Sequence, residues 1–164
     1  MIIKAGQSEI PIIRQLSERI WMDYYPAIIS VDQIRYMLDK MYSEVSLLEQ
    51  MNVMGHQFLL LIDENNPAGY ASFSRKNNES PHRFRLNKLY VRTELHGRGR
   101  GRELLQYISK EVVSAGGKEL ELNVNKRNPA IGFYTKMGFR VESEALIDIG
   151  NSFYMDDFIM VLDV

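Results

Sequence analysis

The chain has 164 residues, of which 45% are hydrophobic and 25% charged, with a formal net charge of -1. That length suits one domain with one sizeable core, and the near-neutral balance removes any overall reason to expect a nucleic-acid partner. The lack of cysteine excludes disulfides, thiolate metal sites and a cysteine nucleophile together. Met1-Ile2-Ile3-Lys4-Ala5-Gly6 has no basic region leading into a long apolar one, and no apolar run approaches the length of a bilayer span. A cytoplasmic protein without a membrane partner is the expectation.

Ile2-Ile3-Lys4 reads as a short strand, after which Ser8 is placed to cap a helix that tolerates Pro11 in its first turn. Ile13, Leu16 and Ile20 recur there at helical spacing, and the helix should stop before Pro26. The linking stretch Trp21-Met22-Asp23-Tyr24-Tyr25-Pro26 is rich in aromatics and holds the only tryptophan. Ser30 and Gln33 have capping-box spacing, and Ile34, Met37, Met41, Val45 and Leu48 then predict one long second helix. Gln57 to Ile62 and an alternating Ala68 to Ser74 predict a hairpin around the turn residues Asp63-Glu64-Asn65-Asn66-Pro67. Arg75 to Pro81 is polar and loop-like, and Phe84, Leu86 and Leu89 to Val91 predict the next strand.

His96-Gly97-Arg98-Gly99-Arg100-Gly101-Arg102 follows that strand and precedes Glu103-Leu104-Leu105-Gln106-Tyr107-Ile108, giving the order strand, glycine-rich loop, helix. Glycines let successive backbone N–H groups point into one concavity, and the unpaired donors of the helix start aim at the same place. Such a loop favours phosphate. Around it, Arg83, Arg85, Lys88, Arg92, Arg98, Arg100 and Arg102 face a single acid, Glu94. The helix should bury Leu104, Leu105, Ile108 and Val112 and end at Gly116-Gly117. Leu120, Leu122 and Val124 alternate with Glu119, Glu121 and Asn123, a strand expected parallel to the earlier one because a helix joins them. Asn128 caps the next helix, Pro129 takes its first position, and Ile131, Phe133, Tyr134 and Met137 lead to a stop at Gly138. Arg140 to Ala145 and Phe158 to Leu162 read as closing strands, with Gly150-Asn151 between them. The resulting pattern is an α/β or α+β domain with a mixed sheet.

By itself the loop does not name its ligand. A dinucleotide fingerprint needs glycine where Arg102 stands, a P-loop needs a closing Gly-Lys-Ser/Thr, and a glycine-rich turn with solvated arginines stays open. The segment Leu122 to Phe139 adds a strand, a capped helix, an aromatic pair and a glycine stop. Together the two segments closely resemble the GNAT superfamily of N-acetyltransferases. Its pyrophosphate loop, Arg/Gln-x-x-Gly-x-Gly/Ala, reads here His96-Gly97-Arg98-Gly99-Arg100-Gly101, and its second signature lies at Asn128, Ala130-Ile131, Phe133-Tyr134 and Gly138-Phe139. The Gln57 to Tyr70 hairpin and Ser152-Phe153-Tyr154-Met155 also look like the bacterial spermidine-type branch of that superfamily.

The resemblance implies a mixed, mostly antiparallel sheet of about seven strands, with the two motif strands parallel and splayed. It implies acetyl-CoA as cofactor and direct transfer to an amine in a ternary complex, the acceptor being a small amine or polyamine. Carried over residue by residue, Leu89, Tyr90 and Val91 would present backbone groups to the pantetheine and acetyl carbonyl. His96, Gly97, Arg98, Gly99, Arg100, Gly101 and Arg102 would hold the pyrophosphate, Asn128 the pantetheine arm, and Lys136 an adenosine-side phosphate. Tyr134 would face the sulfur. A phenol of ordinary pKa about 10 can protonate a leaving thiolate of about 8.5.

Blander readings stand beside these. Asn128 also reads as a cap alone, Tyr134 as a core aromatic, and Trp21, Tyr24 and Tyr25 either pack in the core or line an acceptor pocket that holds a cation over its rings. Two departures from the family pattern matter. His96 opens the loop where relatives have arginine or glutamine. Where some members place a glutamate as general base, this chain has Asn87, and nothing acidic occurs from Arg83 to Thr93. Asparagine cannot take a proton, so a water held by Asn87 is the expected relay. Protein N-terminal or lysine acetylation, a non-catalytic acyl-CoA sensor, and nucleic-acid binding by the basic stretch are the alternatives. The closing strands offer an edge at which a second copy could pair as a homodimer.

Overall fold

The computed structural model describes residues 1–164. In chain order the elements are β1 (Ile2–Ala5), α1 (Ile10–Tyr24), α2 (Val31–Tyr42), α3 (Glu44–Asn52), β2 (Gln57–Asp63), β3 (Asn66–Arg75), β4 (Arg83–Val91), α4 (Arg100–Ser114), β5 (Glu119–Asn125), α5 (Ala130–Lys136), β6 (Arg140–Gly150) and β7 (Phe153–Asp163). The strands form one seven-stranded sheet in the order β1-β2-β3-β4-β5-β7-β6, mostly antiparallel, with β4 and β5 as the parallel pair. The expected mixed sheet is borne out. No helix is long and apolar enough to cross a membrane. The chain divides into two compact units, Met1–Ser74 with Lys88–Ile108, and Arg75–Asn87 with Ser109–Val164.

In the first unit α1 buries Ile13, Leu16 and Ile20 as the spacing predicts, and it also buries Trp21. The aromatic stretch is therefore not a linker: Trp21 to Tyr24 belong to α1, and Pro26 lies in a 3-10 turn, Tyr25–Ala27. Ser8 does not cap α1. Its hydroxyl donates to the Glu9 carboxylate at 2.8 Å, and α1 starts only at Ile10. The chain instead makes a 3-10 turn, Gln7–Glu9, in which the Glu9 carboxylate accepts the Gly6 N–H at 2.7 Å.

The long second helix is in fact two. Ser30 Oγ accepts the Gln33 N–H at 3.1 Å and starts α2 as expected, but Ser43 is extended (ψ 153°) and its Oγ accepts the Ser46 N–H at 3.2 Å, starting α3. Gln50 Nε2 donates to Met41 O at 2.7 Å, satisfying a carbonyl that the break orphans. The interruption shifts the helical phase, so Leu47 (0% exposed) faces inward while Val45 (76%) faces out. We expect Leu47→Ala to cost about 2–5 kcal/mol in urea unfolding and Val45→Ala to stay within about 0.5 kcal/mol of the parent. The reverse ranking would restore one continuous helix. In the following hairpin Glu64 and Asn65 both take positive φ (48° and 64°) to make the tight turn. Ala68 to Ser74 are buried without the expected alternation, because both faces of β3 are covered.

In the second unit β4 and β5 pair in parallel register from Arg83↔Glu119 to Arg85↔Glu121. Gly117 permits a close return of the chain, since a Cβ there would lie 2.4 Å from Val112 Cγ1 and 2.8 Å from Phe84 Cδ2. Leu120, Leu122 and Val124 are buried as predicted, but Glu121 is too, at 2% exposure, matched by Lys76 Nζ at 2.8 Å and Arg83 Nη1 at 3.4 Å. The closing strands run longer than expected, meeting in a turn at Asn151 and Ser152, both of positive φ.

Candidate cofactor and acetyl-transfer site

The glycine loop lies wholly in the first unit. After β4 a 3-10 turn, Thr93–Leu95, buries Leu95, and His96 is extended. Gly97 and Gly99 then take φ of +77° and +78°, with nothing within 4 Å of a Cβ placed on either. Glycine is thus required by conformation, not by space. Left-handed residues alternating with ordinary ones turn successive N–H groups to one side. The first turn of α4 follows at once: Glu103 N donates to Gly99 O at 3.0 Å, which leaves the amides of Arg100, Gly101 and Arg102 as the orphan donors of a helix start. This donor set fits a diphosphate.

The side chains of the loop divide. Arg98 and Arg102 are exposed, whereas Arg100 is engaged by Asp63 and, at 3.0 Å, by Glu103, so what it offers an anion is its backbone. His96 Nε2 sits 2.9 Å from Val91 O and its ring meets Tyr24 edge-on at 5.9 Å, tying the loop back to its strand. At Leu89, Tyr90 and Val91 the strand is approached closely by β3. A Cβ on Gly69 would lie 2.5 Å from Tyr90 O and 3.1 Å from Val91 Cα.

Trp21 and Tyr25 are buried in an aromatic cluster: Trp21 lies 4.7 Å from Tyr25, 5.7 Å from Tyr42 and 5.6 Å from Tyr90 by ring centroid. Of the proposed acceptor aromatics only Tyr24 is half-exposed. Below the cluster is a residue the sequence reading passed over. Lys88 is 5% exposed, donates to Gln50 Oε1 at 2.7 Å and lies over the rings of Tyr42 (5.4 Å) and Phe58 (5.6 Å). Alternation on β4 was the available signal, because Lys88 shares a face with Phe84 and Leu86.

Burial lowers the Lys88 ammonium to a pKa of about 8 from 10.5. Between those values the unfolded chain holds the proton and the folded chain does not, so stability rises with pH across that window and the charge is a standing cost below it. We expect the parent to gain roughly 3 kcal/mol at most from pH 8 to 10.5, and Lys88→Met to lose that slope. Urea midpoints of the pair against pH measure it; parallel curves would place the proton elsewhere.

The second motif lies in the second unit. Asn125 Oδ1 accepts the Arg127 N–H at 2.9 Å, and Asn128 Oδ1 accepts the Ala130 N–H at 2.9 Å. Asn128 thus satisfies a first-turn donor as expected, but the N-cap position is taken by Pro129 and α5 begins one residue later than the sequence suggests, at Ala130. Asn128 is buried, Tyr134 is half-buried and stacks edgewise on Phe133 (5.3 Å) and Phe139 (5.5 Å), and Lys136 is exposed in the last turn of α5. Asn87 is half-exposed on β4. Asp157, 3% exposed on β7, was also missed. Two adjacent acids on a strand, Asp156 and Asp157, should have suggested that one points inward.

A family model described as an acetyltransferase (GNAT) domain matches residues 28–154. Among solved structures, the PaiA N-acetyltransferase of Thermoplasma acidophilum in complex with coenzyme A superposes with a TM-score of 0.83 at 24% identity, covering 100% of this chain and 98% of that one. The yncA protein of Salmonella typhimurium, solved with its cofactor acetyl-CoA, gives 0.68 at 18% identity over 99% and 92% of the two chains. A ribosomal-protein-alanine N-acetyltransferase from Brucella melitensis gives 0.70 at 19% identity over 100% and 99%. No curated protein sequence matches the chain. With the family model spanning most of its length, the chain belongs to the GNAT family of acetyl-CoA-dependent acetyltransferases.

Proposed function

We propose that the chain moves the acetyl group of acetyl-CoA to a primary amine of a small acceptor, with polyamines the foremost class, by direct attack in a ternary complex. The observation that carries this reading is the pair of left-handed glycines, Gly97 and Gly99, opening directly into the orphan amides of α4. Those amides grip the diphosphate. Acetyl-CoA, when bound, supplies an acetyl group activated as a thioester. Backbone groups of Leu89, Tyr90 and Val91 hold the pantetheine and polarise the acetyl carbonyl, and Asn128 steadies the pantetheine arm. Lys136 offers charge to the adenosine-side phosphate. Tyr134 donates a proton to the departing sulfur. Asn87 holds the water that carries a proton from the amine.

The amine sets the harder requirement, since taking an alkylammonium of pKa about 10.4 to its neutral form at pH 7 costs about 4–5 kcal/mol. Asp23, Glu44 and Glu49 are exposed on the helical layer and supply the negative charge that a polycation would meet on approach. Calorimetry with CoA, followed by thiol release from acetyl-CoA with a panel of primary amines, tests the reading. CoA binding in the micromolar range, about -8 kcal/mol, and amine-dependent thiol release are the expected results. No heat at millimolar CoA would overturn it.

A further inference from the structure

Two carboxylates are buried on one face of the sheet in the second unit, and they are treated differently. Register places Arg85 beside Glu121, and Asn125 opposite Asp157. Glu121 (2% exposed) is compensated by Lys76 and Arg83. Asp157 (3% exposed) makes no ion pair, and Arg85 acts on it only weakly. Its Oδ1 has no hydrogen-bond partner, and Asn123 supplies the other polar contact to the carboxyl. Asn123 Oδ1 is itself occupied by Arg85 at 2.8 Å, which leaves the amide nitrogen as the donor toward Asp157. The lysine beside this pair, Lys126, is drawn to Glu144 at 2.7 Å and Asp156 at 2.9 Å. A buried carboxylate with no ion pair and an unpartnered oxygen destabilises a fold unless it takes up a proton or meets a cation, and an ammonium ligand would bring both.

We propose that Asp157 receives the ammonium group of the acceptor and takes its proton, supplying the carboxylate that β4 lacks at Asn87. This rests on the amine-acetylation reading above and gives the proton relay its destination. Burial pushes the Asp157 carboxyl up and the neighbouring Asp156 adds to this, while Asn123 and, more weakly, Arg85 oppose it. β5 otherwise faces it with Asn125, and β6 with Ala145. A raised carboxyl is a stronger base than an ordinary one. In the step, R–NH3⁺ gives one proton to the Asp157 carboxylate. The freed lone pair forms the C–N bond as the C–S bond breaks, and the second nitrogen proton balances the one delivered to sulfur. Amide, CoA thiol and protonated Asp157 result, and the carboxylic acid returns its proton to water.

The test compares the parent with Asp157→Asn, using n-butylamine and 1,4-diaminobutane as acceptors. We expect the variant to bind CoA as the parent does and to melt at the same or a higher temperature, because an uncompensated charge is gone. Its kcat/KM at pH 7 should fall at least ~100-fold, with the loss shrinking as pH approaches the pKa of the free amine. A variant within about threefold of the parent at pH 7 overturns the assignment. Titration of the Asp157 carboxyl carbon by NMR decides independently of turnover. A carboxyl that titrates above the ordinary range and drops when n-butylamine is added supports the site; one that does not respond overturns it. A failure of the acetyltransfer reading is distinct, for it shows as absent CoA heat in the parent.

Discussion

Tyr134→Phe is expected to lower kcat by about 10²- to 10³-fold while the dissociation constant of CoA changes by less than about twofold. The substitution keeps the ring and therefore its edgewise packing on Phe133 and Phe139 at 5.3 and 5.5 Å. Only the hydroxyl goes. A leaving thiolate with an ordinary pKa near 8.5 must be protonated at neutral pH, and without a positioned phenol that proton has to come from solvent. In the role proposed for it the hydroxyl acts on charge that develops during bond breaking, so its removal should appear in kcat and not in cofactor binding. Single-turnover thiol release separates chemistry from product release. A turnover number close to the parent's would make Tyr134 a packing residue.

The second large effect is expected at Gly99. With φ at +78° the position lies where a side chain strains the backbone, and a β-branched residue is the worst case. Gly99→Val should cost about 1–2 kcal/mol of stability and, if the chain relaxes by leaving the left-handed region, turn the loop amides away from the diphosphate. We expect CoA affinity to fall at least ~100-fold, near 2.7 kcal/mol. Nothing lies within 4 Å of the added Cβ, so a loss cannot be assigned to collision with a neighbour. Gly132→Ala serves as control: it is equally open, lies inside α5 and has ordinary φ. There alanine should stabilise the helix by about 0.5–1 kcal/mol and leave CoA binding unchanged. Calorimetry and thermal melts read both variants. Normal CoA binding by Gly99→Val would remove the backbone cradle from the account.

Local patterns carried far where one element decides its own shape. α4 buries Leu104, Leu105, Ile108 and Val112 at 0–1% exposure, as a period of about 3.6 requires. Asn128 closes its turn through Ala130, and the closing helix stops at Gly138 with φ of +98°. Such features depend on residues within one turn of each other, so the sequence expresses them directly. The expectation at Ser8 failed for an equally local reason, the neighbouring Glu9 carboxylate that takes its hydroxyl.

Other features exist only after distant segments meet. Ser43 breaks the second helix by capping α3, Gln50 closes the break from within α3 by bonding Met41 O, and that break, not periodicity, selects Leu47 for burial. Lys88, Glu121 and Asp157 look alike in sequence, as charges on alternating strands. Their partners separate them: Gln50 and two rings for Lys88, Lys76 and Arg83 for Glu121, Asn123 for Asp157. From residue order alone came the family, the glycine-rich loop between strand and helix, and the buried stripes of α1 and α4, since those follow from spacing within one element. Which buried charges are compensated was settled by the tertiary structure, because electrostatic energy depends on separations that chain position does not encode.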